Sequence, residues 1–162
     1  MKVFGTTCEI LLTIILLFLV PVFYFSCQQE LLLQNYVQYQ VIYFTDSVRN
    51  VGYMNRSMYD SMRKNLDRTN HIYEIELAVY EKYRNSGSEN SYLLGTYTED
   101  ILDIIYNKQE KYIMHQGDFI SISVKRKDLT MIERVVGMLG ANVNYNYSIP
   151  IQYGGMIRDE CF

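Results

Sequence analysis

The sequence predicts an α+β protein, a long N-terminal helix packed on a small, mostly antiparallel sheet. Three observations carry that expectation. The run Ile10 to Phe25, ILLTIILLFLVPVFYF, holds no charged residue. Directly behind it Leu33, Val37, Val41, Phe44, Val48 and Val51 recur at steps of four and three, an amphipathic helical stripe. Further along, apolar and polar residues alternate in short runs, the period of half-buried strands.

Ser26 and Cys27 extend the apolar run to eighteen residues before Gln28. A helix needs ~20 residues at about 1.5 Å each to cross a bilayer. A buried core helix would show a polar face every third or fourth residue, and this run has none, so it reads as a spanning or signal segment. Pro21 would kink a membrane helix without ending it. No Gly or Pro interrupts the chain between Gln28 and Val51, which predicts one helix from about Thr7 to about Arg49, roughly 60 Å long. The expected organisation is a short leader or cytoplasmic segment at 1–9 and a transmembrane helix at 10–27. An amphipathic continuation at 28–51 and an extracytoplasmic α+β domain at 52–162 complete it. Lys2 and the α-amine precede the apolar run, and no Lys or Arg follows until Arg49. That asymmetry predicts a single-pass cell-membrane protein with its N-terminus cytoplasmic.

Three readings of the segment compete. A cleavable secretory signal requires small residues at its exit, where this chain has Tyr24-Phe25-Ser26-Cys27. A lipoprotein would be acylated at Cys27, with Tyr24 at a position usually aliphatic. A retained anchor would continue as a helix into the outer domain, and the stripe behind Cys27 favours this third reading.

In the outer domain Gly52 closes the long helix. Asn55 caps a short helix whose Met58, Tyr59, Met62 and Leu66 share a face. Tyr73, Ile75, Leu77 and Val79 alternate with Glu74, Glu76 and Ala78 as a half-buried strand. Asn85 to Gly95 is polar and rich in Ser and Gly, which predicts a loop. Thr98 with Glu99 and Asp100 opens a helix burying Ile101, Leu102, Ile104 and Ile105. Tyr112–His115 and the alternating Ile120, Ile122 and Val124, separated by Gly117-Asp118, read as a hairpin. Thr130 and Glu133 have capping-box spacing, with Asp128 as an alternative cap. The helix they open buries Leu129, Ile132, Val136 and Leu139 and stops at Gly140. Val143 to Tyr153 alternates strictly, and Pro150 marks that strand as an edge.

Chemistry is sparse. His71 and His115 have no Cys or carboxylate at ligand spacing in the sequence, and no nucleophile motif surrounds them. Glu99, Asp100 and Asp103 read as a solvated helix start, and Lys125-Arg126-Lys127 as a solvated strand end. Gly154-Gly155 lacks the helix and Lys-Ser pair of a phosphate loop, and marks instead a bulge or a close approach. No cofactor or metal is expected. A net charge of −3 across 162 residues argues against nucleic acid as a partner. Cys8 and Cys27 flank the apolar run about 28 Å apart on a helix, too far to pair within one molecule; a Cys27–Cys161 pair stays open. Glu9, directly before the apolar run, either faces water or needs a cation, since an unpaired charge in a bilayer costs at least ~2.5 kcal/mol.

Gly5-Thr6-Thr7-Cys8-Glu9 followed by Ile10 to Phe25 resembles the N-terminus of type IV pilin-like proteins, particularly the Tad-type (TadE-like) pseudopilins. That resemblance implies a pilin-like fold, a leader cut between Gly5 and Thr6, and an assembly role for Glu9. The cation of Glu9 would be the terminal amine of a neighbouring subunit. In the family the glutamate stands fifth after the glycine, and here it stands fourth. Phe44-Thr45-Asp46-Ser47-Val48-Arg49 and Tyr153-Gly154-Gly155-Met156-Ile157-Arg158 look like pieces of Gram-positive membrane proteins that accompany such pilus machinery. The implied function is a non-enzymatic assembly component of a Tad or type IV pilus-related secretion or adhesion apparatus. Its partners would be the lipid bilayer and other pilin-like subunits or assembly-platform proteins. The alternatives are a non-polymerising tethered binding or regulatory domain and a lipoprotein acylated at Cys27.

Overall fold

A computed structural model describes residues 2–84, 91–130, 133–134, 137 and 150–158. The chain is α+β, as its patterning predicts. It divides into two units, one of residues 1–35 and 129–144, the other of 36–128 and 145–162.

Helix α1, Lys2–Val51, begins earlier than the apolar pattern required and runs through Pro21. Gly52, at φ +74°, ends it, and the Gly52 amide still donates to the Val48 carbonyl at 2.9 Å. A positive φ at this position suits glycine, which has no Cβ to clash. In the first unit, residues 5–25 of α1 are exposed throughout. The hydroxyls of Thr13 and Ser26 donate back to the carbonyls of Glu9 and Val22, each at 2.8 Å, so neither depends on water. The expected capping box also forms in this unit: the Thr130 amide donates to Glu133 Oε2 at 2.6 Å and the Glu133 amide to Thr130 Oγ1 at 3.0 Å. Residues 133, 134 and 137 are helical; Ile132, Val136, Leu139 and Gly140 lie outside the described residues.

The second unit is built on the amphipathic half of α1. Val37, Val41, Phe44 and Val48 are buried in one cluster with side chains from the sheet and from α2, Arg56–Asp67. The α2 start is as expected: Asn55 accepts the Met58 amide at 2.8 Å, and Tyr59, Met62 and Leu66 are buried. Thr45 is fully buried and satisfied, its hydroxyl donating to the Val41 carbonyl at 2.7 Å.

The main sheet has the order β3-β2-β5-β6 among the described residues, all antiparallel. Its strands are β2, Tyr73–Arg84, β3, Ser91–Tyr97, β5, Phe119–Arg126, and β6, Ile151–Met156. Leu77 and Val79 of β2 and Ile120, Ile122 and Val124 of β5 face the core, which is the period-two pattern realised. Helix α3, Thr98–Leu102, and a π-helical turn, Asp103–Asn107, follow β3 and bury Ile101 and Ile105.

Two sequence expectations are corrected. The stretch Asn85–Gly95 is not a loop throughout, because Ser91–Gly95 belongs to β3, paired in register from Ala78↔Tyr97 to Arg84↔Ser91. The ladder offered by a long β2 overrides the weak strand propensity of Ser and Gly. Gly95 fits there because Tyr97 and Tyr80 crowd its Cβ position at 3.2 and 3.5 Å.

The hairpin between Tyr112–His115 and β5 does not form. Strand β4, Tyr112–Ile113, pairs instead with β1, Tyr53–Met54. Both sides of β5 are already occupied, by β2 and β6. A tight turn separates the two segments: Gly117 has φ +95°, and buried Asp118 accepts the His115 amide at 2.7 Å. The chain thereby delivers Tyr112 and Met114 to the core. The strand expected over Val143–Tyr153 is described only from Ile151, where it ends the sheet order behind Pro150 and extends to Met156. Residues 143–149 lie outside the described residues.

Candidate functional site

The N-terminal candidates all stand on α1. Gly5 has nothing within 4 Å of its Cβ position, so no packing among the described residues requires glycine there. Thr6, Cys8 and Glu9 are exposed. No ion-pair partner reaches Glu9 among the described residues. Cys27 is half-buried with helix on both sides of it; Cys161 lies outside the described residues. From Ile10 to Phe25 every large apolar side chain is between 44% and 69% exposed. At ~25 cal/mol per Å² of apolar surface, water is a costly solvent for such a face.

In the second unit the structure joins two segments that are far apart in the chain. Arg49, at the end of α1, lies across Gly155 of β6, whose Cβ position is 2.5 Å from the guanidinium carbon. Its Nε donates to the Met156 carbonyl at 2.9 Å, its Nη1 to Asp46 at 2.7 Å, and its own carbonyl accepts the Arg158 amide at 2.9 Å. Tyr153 adds a hydroxyl contact to Asp46 at 3.4 Å. Gly154 answers a different neighbour: its Cβ position is 2.5 Å from the Ile120 carbonyl oxygen of β5. The two glycines mark a close approach, as expected. Two of the Arg49 donors bond a carbonyl and a carboxylate of the same chain, which makes this arrangement a clasp between α1 and β6.

Among the described residues Asp128, the alternative cap, bonds away from the helix that follows it. Its Oδ2 lies 2.5 Å from His71 Nδ1 and its Oδ1 accepts the Ile72 amide at 3.3 Å. His71 has a carboxylate beside it after all, brought from 57 residues away. His115 is 85% exposed at its side chain and stands 3.8 Å from Asp118. Tyr106 donates a short hydrogen bond to Asp60, and Arg56 stacks over its ring at 4.9 Å. Burial, together with that carboxylate, pushes the Tyr106 phenol up to about 12. Tyr59 and Tyr112 are also raised, chiefly by burial. Glu99, Asp100 and Asp103 are exposed. Among the described residues no group of three His, Cys, Asp or Glu side chains is placed to hold a metal ion.

No family model, curated protein or solved structure matches the chain. Among the described residues one helix is long and apolar enough to cross a membrane, which is compatible with a single-pass anchor or a signal sequence.

Proposed function

We propose that this chain is a non-enzymatic, membrane-anchored assembly component of the pilin-like kind. It would hold its N-terminus in the cytoplasm and its α+β unit outside. The observation that carries the reading is the exposed surface of Ile10–Phe25, sixteen residues without a charge and without protein cover among the described residues. Apolar helix faces of this kind are covered by lipid or by like helices. The buried stripe of the same helix, Val37 to Val48, fits a scaffold whose anchor and folded unit share one element. Glu9 stands at the start of the apolar run, where a neighbour's terminal amine would neutralise it. An unbroken α1 on either side of Cys27 favours the retained anchor, since acylation there requires a cut inside the helix.

The experiment is mass spectrometry of the mature N-terminus from membranes. A chain starting at Thr6 supports the processed pilin-like form; one starting at Met1 contradicts it. Cross-linking of single cysteines placed along Leu12 to Leu19 then separates an assembling subunit, which gives helix–helix adducts, from a solitary tether, which does not.

A further inference from the structure

The end of the second unit at which α1 enters is basic. Helix α2 runs opposite to α1, since Asn65 bonds Gln40 and Tyr36 at 3.0 and 3.5 Å while Tyr59 meets the Phe44 ring. The close of α2, with Arg63, Lys64 and Arg68, therefore lies where α1 enters. The sheet supplies the rest of this end. Thr69 donates to the Leu66 carbonyl at 2.7 Å and stands 3.1 Å from the Tyr73 hydroxyl. Tyr73 is paired with Arg126, and the Lys127 amide donates to the Ile72 carbonyl at 2.8 Å. Residues 63–74 and 125–128 carry six of the chain's 15 Lys and Arg and three of its 18 Asp and Glu, a net +3 in a chain of net −3. Two of the three acids are engaged, Asp128 by His71 and the Ile72 amide, and Glu74 by Lys127 at 2.8 Å. Arg63, Lys64, Arg68 and Lys125 have no ion-pair partner among the described residues. Ile72, in the turn between α2 and β2, is 66% exposed. Beyond Glu74 on β2 the sign reverses, with Glu76, Glu99 and Asp100 lining one hollow.

We infer that this basic end docks on the anionic phospholipid headgroups of the bilayer in which Ile10–Phe25 is seated. The inference rests on the membrane-anchored reading and gives the folded unit a lipid contact of its own. Chain length puts the patch within reach. Tyr36 follows Phe25 by about 16 Å of helix, of which the headgroup layer takes roughly 5–8 Å. The remaining gap of about 10 Å is close to the ~8 Å Debye length at physiological salt, and an ordinary helix tilt of about 20° narrows it. Each Lys or Arg brought near an anionic surface favours the bound state roughly fivefold. Ile72 adds an apolar tip for the boundary between headgroups and acyl chains. The acidic hollow beside Glu76 is repelled by the same surface, so one end of the unit is selected.

The test reconstitutes the full-length chain, with Cys8, Cys27 and Cys161 changed to Ser, in vesicles that carry a nitroxide on lipid headgroups. One set is phosphatidylcholine alone and the other also contains phosphatidylglycerol. A fluorophore is attached through Ile72→Cys or, for reference, through Ile113→Cys, which pairs with Tyr53 just past the other end of α1. Quenching at position 72 is expected to be at least about threefold greater in the anionic vesicles. In about 1 M salt, where the Debye length is about 3 Å, it should fall to the level of the neutral vesicles. Combined Lys64→Glu, Arg68→Glu and Lys125→Glu should do the same, whereas Lys108→Glu with Lys111→Glu, away from the patch, should leave it unchanged. Salt alters no residue, so that arm stands even where the triple variant folds poorly. Equal quenching at position 72 in both vesicles, or quenching at 113 as strong as at 72, overturns the docking, and carbonate resistance of the chain leaves the anchor standing. Release of the chain by carbonate overturns the anchored reading itself.

Discussion

The two halves of α1 have the same backbone and opposite fates. Phe18 in the first half is 69% exposed, whereas Phe44 in the second is 4% exposed against Tyr59 and the sheet core. What separates them is the placing of polar residues. Between Gln28 and Val51 they leave an apolar stripe that a sheet can cover. Between Ile10 and Phe25 they are nearly absent, so no single face is chosen and the whole circumference needs an apolar environment. The same backbone element therefore presents two different kinds of surface.

The largest expected effect breaks that contrast by deletion. Phe44→Ala should cost about 3–5 kcal/mol of stability in the folded unit, while Phe18→Ala should leave its thermal unfolding in detergent unchanged. If the two variants melt alike, the halves are not distinct. Next come the glycines. Gly154→Ala drives a Cβ against the Ile120 carbonyl and should cost about 1–3 kcal/mol, whereas Gly5→Ala meets no neighbour and should shift the melting temperature by less than a degree. Mass spectrometry of the Gly5→Ala variant separately reports whether that glycine is read by a peptidase.

The smallest effect is confined to alkaline pH. With its folded pKa raised to about 12, Tyr106 keeps its proton where an unfolded tyrosine, near 10, loses it. Its contribution to stability is therefore complete below pH 10 and is lost as pH rises from 10 to 12. Ultraviolet titration should show a late tyrosinate step that moves to lower pH in Asp60→Asn. A step that stays in place would remove Asp60 as a cause.

Elements written in local pattern were legible in the sequence. The α1 stripe, the Asn55 cap, the alternation of β2 and β5, and the Thr130–Glu133 box each depend on residues within a turn or two of one another. What stayed hidden depends on distant partners. Strand β3 looks like loop because Ser91 and Gly95 are poor strand formers, and only the far half of β2 makes it a strand. The hairpin expectation failed because the occupancy of the two sides of β5 cannot be seen from Tyr112–Val124 alone. The clasp was half visible: Gly154-Gly155 signalled a close approach, but Arg49 is 107 residues from Met156, the carbonyl it bonds. His71 and Asp128 likewise carry no mark in the sequence of being neighbours.

The central claim is that the first half of α1 lies in lipid while the unit built on the second half is in water. In sealed vesicles with the outer domain facing the medium, single cysteines from Leu16→Cys and Ser61→Cys in the cysteine-free chain would meet a membrane-impermeant maleimide. The account predicts rapid labelling at Ser61, on the exposed side of α2, and none at Leu16 until detergent is added. Equal labelling at both sites in intact vesicles would contradict it.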